Sequence, residues 1–151
     1  MSRPRPRILK FPRKSDLRLV RRLSPKQIRE LLGLYRREWW SKTRKEAEVR
    51  QMLKNTDLIF GLCDARNEKL VAFTRVLTDF TYKALIFDVI VDESYRNLGL
   101  GKRLIDEVLK HPRVRKVKHV ELYCLPELVS FYRKWGFTEK LGRLTFMRLK
   151  K

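Results

Sequence analysis

The sequence is short of cysteine, of acidic residues and of long apolar runs, and each shortage removes a class of function. Among its 151 residues are two cysteines, Cys63 and Cys124. They have no second pair with which to build a metal knot, so no metal is expected, and a chain of this size needs no disulfide framework. The longest apolar run, residues 84–91, is interrupted by Asp88. It falls well short of the roughly 18 residues that a membrane span needs. A soluble protein of a reducing cytoplasm, with no membrane span, is the expectation. A secretory signal would need a continuous apolar core behind its positive start, and none follows the basic beginning MSRPRPRILK.

The deficit of acid is the largest bias. Against 37 lysines and arginines stand 17 acids, a formal charge of +20. Such a field concentrates anions and gives affinity for polyanions whatever the fold. It speaks to partners and says little about chemistry. Residues 1–15, MSRPRPRILKFPRKS, hold six basic residues, three prolines and no acid, the composition of a flexible arm able to touch a polyanion or nucleic acid weakly. The domain proper then runs over 16–151. With 43% hydrophobic residues it has the material for a real core.

The pattern along the chain alternates between periods. Residues 16–22 suit a first strand. Ser24-Pro25-Lys26-Gln27 reads as a capping box with proline at the first helical position, and Ile28, Leu31, Leu32 and Tyr35 follow at helical spacing. A helix over 25–38 is predicted, then a second one starting at Thr43, with Glu46 three residues on, and running to Lys54. Strands are predicted over 58–63, 70–77 and 83–91 as an antiparallel meander. After a glycine turn come a helix ending near His111-Pro112, a strand over 117–124, a helix over 127–135 and a final strand over 142–149. The order β α α β β β α β α β makes a mixed α/β domain.

The glycine turn at 96–103, RNLGLGKR, has the composition of a phosphate cradle, because glycine lets backbone approach an anion and the next helix offers free N–H groups. A nucleoside-triphosphate loop of the Walker type is excluded, since it requires Gly at 96 and Ser or Thr at 103 and both are Arg. The dinucleotide fingerprint is excluded by Leu104 in place of a third glycine, and by a preceding strand that belongs to a meander.

Arg96-Asn97-Leu98-Gly99-Leu100-Gly101 does match the R/Q-x-x-G-x-G/A signature of the acetyl-CoA-dependent N-acetyltransferases of the GNAT superfamily. The lead-in Val91-Asp92-Glu93-Ser94-Tyr95-Arg96 resembles that family's V-D-P-E-Y-R. Ser130-Phe131-Tyr132-Arg133-Lys134-Trp135-Gly136-Phe137 resembles its FYxKxGF helix. The resemblance covers roughly residues 16–150, in the family's order. It implies a mixed, mostly antiparallel sheet flanked by helices, with fourth and fifth strands splayed apart. Acetyl-CoA would lie between them, its pyrophosphate on the backbone of Arg96, Asn97, Leu98, Gly99, Leu100, Gly101 and Lys102. Its pantetheine arm would hydrogen-bond the backbone of Val89, Ile90 and Val91, with no metal involved.

The implied reaction is acyl transfer from a thioester to a primary amine. An ammonium with a pKa near ~10.4 must first lose a proton, and the departing thiolate must gain one or be stabilised. Tyr132 occupies the family's tyrosine position on the thiol side. Asp88, the one charge in its apolar run, is costly there unless something uses or pairs it. It either binds the acceptor ammonium or takes its proton, or it simply pairs with an arginine. Its setting Phe-Asp-Val-Ile-Val resembles the Glu-Asp-Val-Val-Val segment of glucosamine-6-phosphate N-acetyltransferases, with Phe87 in place of the neighbouring acid. Glu121 is the second candidate base and Asp79 a third. Leu125 stands where many members of the family carry a pantetheine-contacting Asn. Cys124 near the thioester admits a covalent acyl route, and Tyr35, Trp39 and Trp40 border the acceptor groove or fill the core.

The expected protein is therefore an N-acetyltransferase, monomeric or homodimeric, acting on a small amine or a protein amine. The alternative is a non-catalytic module binding acyl-CoA or nucleic acid through the arm and the segment 110–119, KHPRVRKVKH, which lacks the interleaved aromatics that base stacking needs.

Overall fold

In the computed structural model, which describes residues 12–151, the first helix begins where its capping box requires. Ser24 Oγ accepts from Gln27 N–H at 3.2 Å and Gln27 Oε1 accepts from Ser24 N–H at 3.0 Å, so two N–H groups that the helix cannot satisfy are capped reciprocally. The helix, α1 (Pro25–Arg37), buries Leu31, Leu32, Leu34 and Tyr35. Beyond it, Ser41 Oγ donates to the Tyr35 carbonyl at 2.9 Å, which ends the helix inside the protein.

The second helix, α2 (Glu46–Lys54), starts later than its sequence suggests. The box that forms joins Lys45 N–H to Glu48 Oε2 at 3.0 Å, two residues beyond the Thr43–Glu46 pair. Arg44 turns inward instead of entering the helix, and its N–H donates to Ser41 O.

A five-stranded sheet runs in the order β1 (Leu17–Val20), β2 (Leu58–Asp64), β3 (Lys69–Thr78), β4 (Lys83–Val91) and β5 (His119–Glu121). The first four strands pair antiparallel in sequence order. A crossover through α3 (Leu100–Lys110) makes β5 parallel to β4 and the sheet mixed. Lys118 N–H and His119 N–H donate to Thr81 O and Tyr82 O, at the starting end of both strands. β5 is shorter than the predicted strand over 117–124: it begins two residues later, after a 3-10 turn (Val114–Lys116), and ends three residues earlier.

Helices cover both faces. α1 packs on β3 and β4 through Leu31, Tyr35, Phe73 and Ile90. On α3, Leu100, Leu104, Ile105 and Val108 are buried. Gly61 leaves no room for a side chain: a Cβ there would lie 2.8 Å from Val20 Cγ2 and 3.0 Å from Leu70 Cδ1.

The chain divides into two compact units, Met1–Val120 and Glu121–Lys151. In the second, a 3-10 turn (Pro126–Leu128) leads into α4 (Val129–Arg133), where the phenol ring of Tyr132 packs among Phe131, Trp135 and Phe137. The predicted strand over 142–149 does not form. Leu144 N–H closes a turn onto Leu141 O, Gly142 sits at φ 65°, and Leu144, Phe146, Met147 and Leu149 are exposed. Most of the expected basic arm lies outside the described residues. Its last part is built into the fold, with Pro12 buried and Lys14–Asp16 in a 3-10 turn.

Candidate active site

β4 holds the first irregularity that matters for function. Phe73 pairs with Ile90 and Arg75 with Phe87, so one residue of β3, Thr74, faces two of β4, Asp88 and Val89. This is a β-bulge, which bends a strand and re-aims a side chain. Asp88 carries it at φ 56°, in the left-handed region that Asp tolerates better than most residues. Thr74 Oγ1 ties the distortion down by donating to Phe87 O at 2.8 Å. The extra residue also shifts the phase of the strand. Ile90, opposite Phe73, faces α1, whereas Ile86, opposite Val76, faces the other way.

The bulge turns the Asp88 carboxylate toward α1 and into a cluster of donors. Its Oδ2 accepts from Arg75 Nε at 2.7 Å, from the Tyr35 hydroxyl at 2.8 Å and from Arg44 Nη1 at 3.1 Å. Arg44 Nη2 reaches Oδ1 at 3.5 Å, and its guanidinium lies over the rings of Tyr35 and Trp40. The Asp88 side chain is 6% exposed. Burial pushes its pKa up, but hydrogen bonds and charge from Arg75 and Arg44 outweigh this and hold it below the usual carboxylate range. Burial and the charge of Asp88 raise Tyr35, which stays a neutral phenol. Asp88 is thus a bound, ionised carboxylate and a weak proton acceptor.

The second irregularity is the glycine turn. Asn97 at φ 64° and Gly99 at φ 73° are both left-handed, and Gly99 is the residue that opens α3. The first intrahelical bond runs from Arg103 N–H to Gly99 O, which leaves the N–H groups of Leu100, Gly101 and Lys102 free of intrahelical acceptors. A cavity of about 420 Å³ lies beside the turn, lined by Asn97, Leu98 and Gly99 and by Pro12, Lys14 and Leu17. Backbone amides at a helix start, next to an open cavity and under a positive dipole, suit a pyrophosphate. Lys102 meanwhile pairs with Asp106 at 2.7 Å and Arg96 with Glu38 at 3.2 Å, both in solvent.

The lead-in to this turn is scaffolding. Asp92 is buried, caps the next turn by accepting from Ser94 N–H at 2.9 Å, and pairs with Lys69 at 3.1 Å and Arg37 at 3.7 Å. The Tyr95 hydroxyl donates to Asp64 Oδ2 at 3.0 Å. Asp64 itself is held at a pKa of about 2, chiefly by its hydrogen bonds from Arg66.

In the pantetheine segment, Ile90 is buried and Val91 pairs with Ala72, while Val89 stands in the bulge. Asp79 is spent on its hairpin, its Oδ1 accepting from the N–H groups of Thr81, Tyr82 and Lys83. Glu121 closes β5, half-buried. In the second unit, Tyr132 is buried, and burial followed by the charge of Cys124 pushes its phenol up to about 12. It therefore holds its proton at neutral pH. Burial also raises the Cys124 thiol, which disfavours the thiolate that an acyl-cysteine route needs. Trp39 is 69% exposed and Trp40 38%, whereas Tyr35 is fully buried.

Arg44 and Arg75 were not singled out by the sequence. A signal existed for Arg75, which is the lone charge in the apolar segment 70–77 just as Asp88 is in 84–91.

Comparison with known proteins fits this architecture. Residues 26–137 match the model of the acetyltransferase (GNAT) family. The chain belongs to that family. It is 36% identical over 92 residues to the uncharacterized N-acetyltransferase ycf52 of Pyropia yezoensis, a match covering 60% of this chain and 53% of that protein. It is 32% identical over 94 residues to the chloroplastic GCN5-related N-acetyltransferase 1 of Arabidopsis thaliana, covering 62% of this chain and 48% of that one. The chain thus spans about half the length of the curated relatives it matches. Among solved structures, a GNAT-family acetyltransferase of Xanthomonas campestris pv. campestris superposes with a TM-score of 0.78 at 26% identity, over 89% of this chain and 93% of that one.

Proposed function

We propose that this protein transfers an acetyl group from acetyl-CoA to a primary amine. The observation that supports the reading is the glycine turn itself: left-handed Asn97 and Gly99, and first-turn N–H groups of Leu100, Gly101 and Lys102 without intrahelical acceptors. The backbone of the turn from Arg96 to Lys102, with these amides at its helical end, holds the pyrophosphate. The backbone of Val89, Ile90 and Val91 holds the pantetheine arm, since main-chain pairing of that kind is indifferent to side chains.

In the transfer, the amine nitrogen forms a bond to the thioester carbonyl carbon as the carbon–sulfur bond breaks. The ammonium must first give up a proton, and Glu121 receives it. Glu121 is the acid that closes β5, and two other acids are engaged elsewhere. Asp88 is ionised among three donors and Asp79 is consumed by three backbone N–H groups. Tyr132, a phenol with its pKa at about 12, donates its proton to the departing thiolate, and the second proton, lost by the acylated nitrogen as the amide forms, restores the phenol. The raised Cys124 thiol disfavours an acyl-cysteine and so supports direct transfer.

The test is release of free thiol from acetyl-CoA in the presence of a panel of primary amines. Amine-dependent release is expected, falling about a hundredfold in Tyr132→Phe, with calorimetric acetyl-CoA affinity retained. Binding of acetyl-CoA with no amine-dependent release would favour the non-catalytic module instead.

A further inference from the structure

The cluster at the bulge does not balance its charge. Two guanidinium groups, Arg44 and Arg75, face one carboxylate, Asp88, and Tyr35 is neutral, so one positive charge is left over. Among the described residues no other acid meets either arginine within ion-pair distance, and the terminal nitrogens of Arg75, Nη1 and Nη2, carry no hydrogen bond. The Arg75 side chain is 12% exposed and that of Arg44 28%. The Arg75 guanidinium lies over the Phe87 ring at 4.8 Å, which leaves its terminal nitrogens without an acceptor; a half-buried surplus cation of this kind is costly in itself and is relieved by an anion. The fork geometry matches carboxylate and phosphate oxygens. The partly exposed indole of Trp40 lies against Arg44 and Tyr35, giving this spot an apolar wall on one side and access on the other.

We infer that Arg75, backed by Arg44 and Asp88, forms an anion subsite for the acceptor, which is therefore a primary amine that also carries a carboxylate or a phosphate. Asp88 is the positioning residue: it fixes Arg75 through Nε and leaves both Nη groups for the substrate. An acceptor presenting cationic groups alone is repelled here, in keeping with the +20 charge of the whole chain. The inference deepens the acetyltransferase reading and rests on it for the word acceptor; the anion subsite itself does not.

Two measurements separate the two claims. The first follows the Nε–Hε signal of Arg75 by nuclear magnetic resonance, assigned by its loss in Arg75→Lys, during titration with inorganic phosphate, with acetate and with chloride at matched ionic strength. A saturable shift with phosphate or acetate is expected, and the tighter of the two names the group. A shift no different from that with chloride overturns the subsite.

The second compares thiol release for matched amines, ethanolamine with O-phosphoethanolamine and propylamine with β-alanine. The anionic member of one pair should show kcat/KM about tenfold to a hundredfold higher. That ratio should fall toward one in Arg75→Gln and recover in part in Arg75→Lys. Preference for the neutral members, or a ratio untouched by Arg75→Gln, overturns the assignment. If the signal saturates but no amine releases thiol, the subsite stands and the transferase reading falls. If every amine is acetylated equally and the signal does not move, the reverse holds.

Discussion

The glycine turn and the bulge of β4 use the same means to different ends. Each is a break in regular backbone carried by left-handed residues, Asn97 and Gly99 in one and Asp88 in the other, and each gathers cations. The turn's cations, Arg96 and Lys102, lie in solvent and pair with Glu38 and Asp106. Those of the bulge are half-buried and converge on one carboxylate from the segment between α1 and α2 and from β3. Water screens the first set, so the turn depends on its backbone. The second set is held where removing a partner strands a charge.

The largest effect that separates them is expected at Asp88. Asp88→Ala leaves Arg44 and Arg75 without their acid and should cost about 3 kcal/mol, lowering Tm by roughly 9 °C in calorimetry. A loss within the range of an ordinary surface change would mean that the cluster is no more than solvated charge.

Acid should act on both regions, through Asp88 at the bulge and through Asp64 and Asp92 in the lead-in to the turn. Asp64, at about 2, and Asp88 and Asp92, both depressed, have folded-state pKa values below their unfolded ones. Their contribution is complete above about pH 4 and is lost as pH falls through the folded values toward 2. Tm followed against pH should be level from neutral pH to about 4 and then fall. Asp64→Asn should flatten that fall, and an unaltered profile would remove Asp64 from the account.

Gly99 tests the turn from the backbone side. A Cβ at this position meets nothing within 4 Å, so only its φ of 73° opposes substitution. Gly99→Ala should cost about 1–2 kcal/mol by thermal unfolding. The smallest effect belongs to Lys102, an exposed pair with Asp106. Lys102→Ala should change stability by less than about 0.5 kcal/mol, and the difference should vanish in molar salt.

The same contrast explains what could be read in advance. The turn was legible because its backbone demands glycine and its helix demands a start, and both leave marks within eight residues. The Ser24–Gln27 box was legible for the same reason, and the bounds of β4 came from an apolar run closed by Asp92. The cluster around Asp88 was only half legible. Its lone acid stood out, but its partners come from 13, 44 and 53 residues away, and two arginines do not stand out among 37 basic residues. The late start of α2 has the same origin, since Arg44 is drawn to Asp88 from a position that local rules place at a helix entry. At the other end, 142–149 has strand-like residues, but a strand forms only with a partner, and periodicity cannot supply one.

The most direct test of the central claim, that the turn binds acetyl-CoA, is calorimetric titration of the protein at physiological salt and again at several times that concentration. The account predicts saturable one-site binding that survives the added salt and is lost when Gly99 and Gly101 are both replaced by valine. Binding that fades with salt, or that persists in the double variant, would mean that the +20 surface and not the turn holds the ligand.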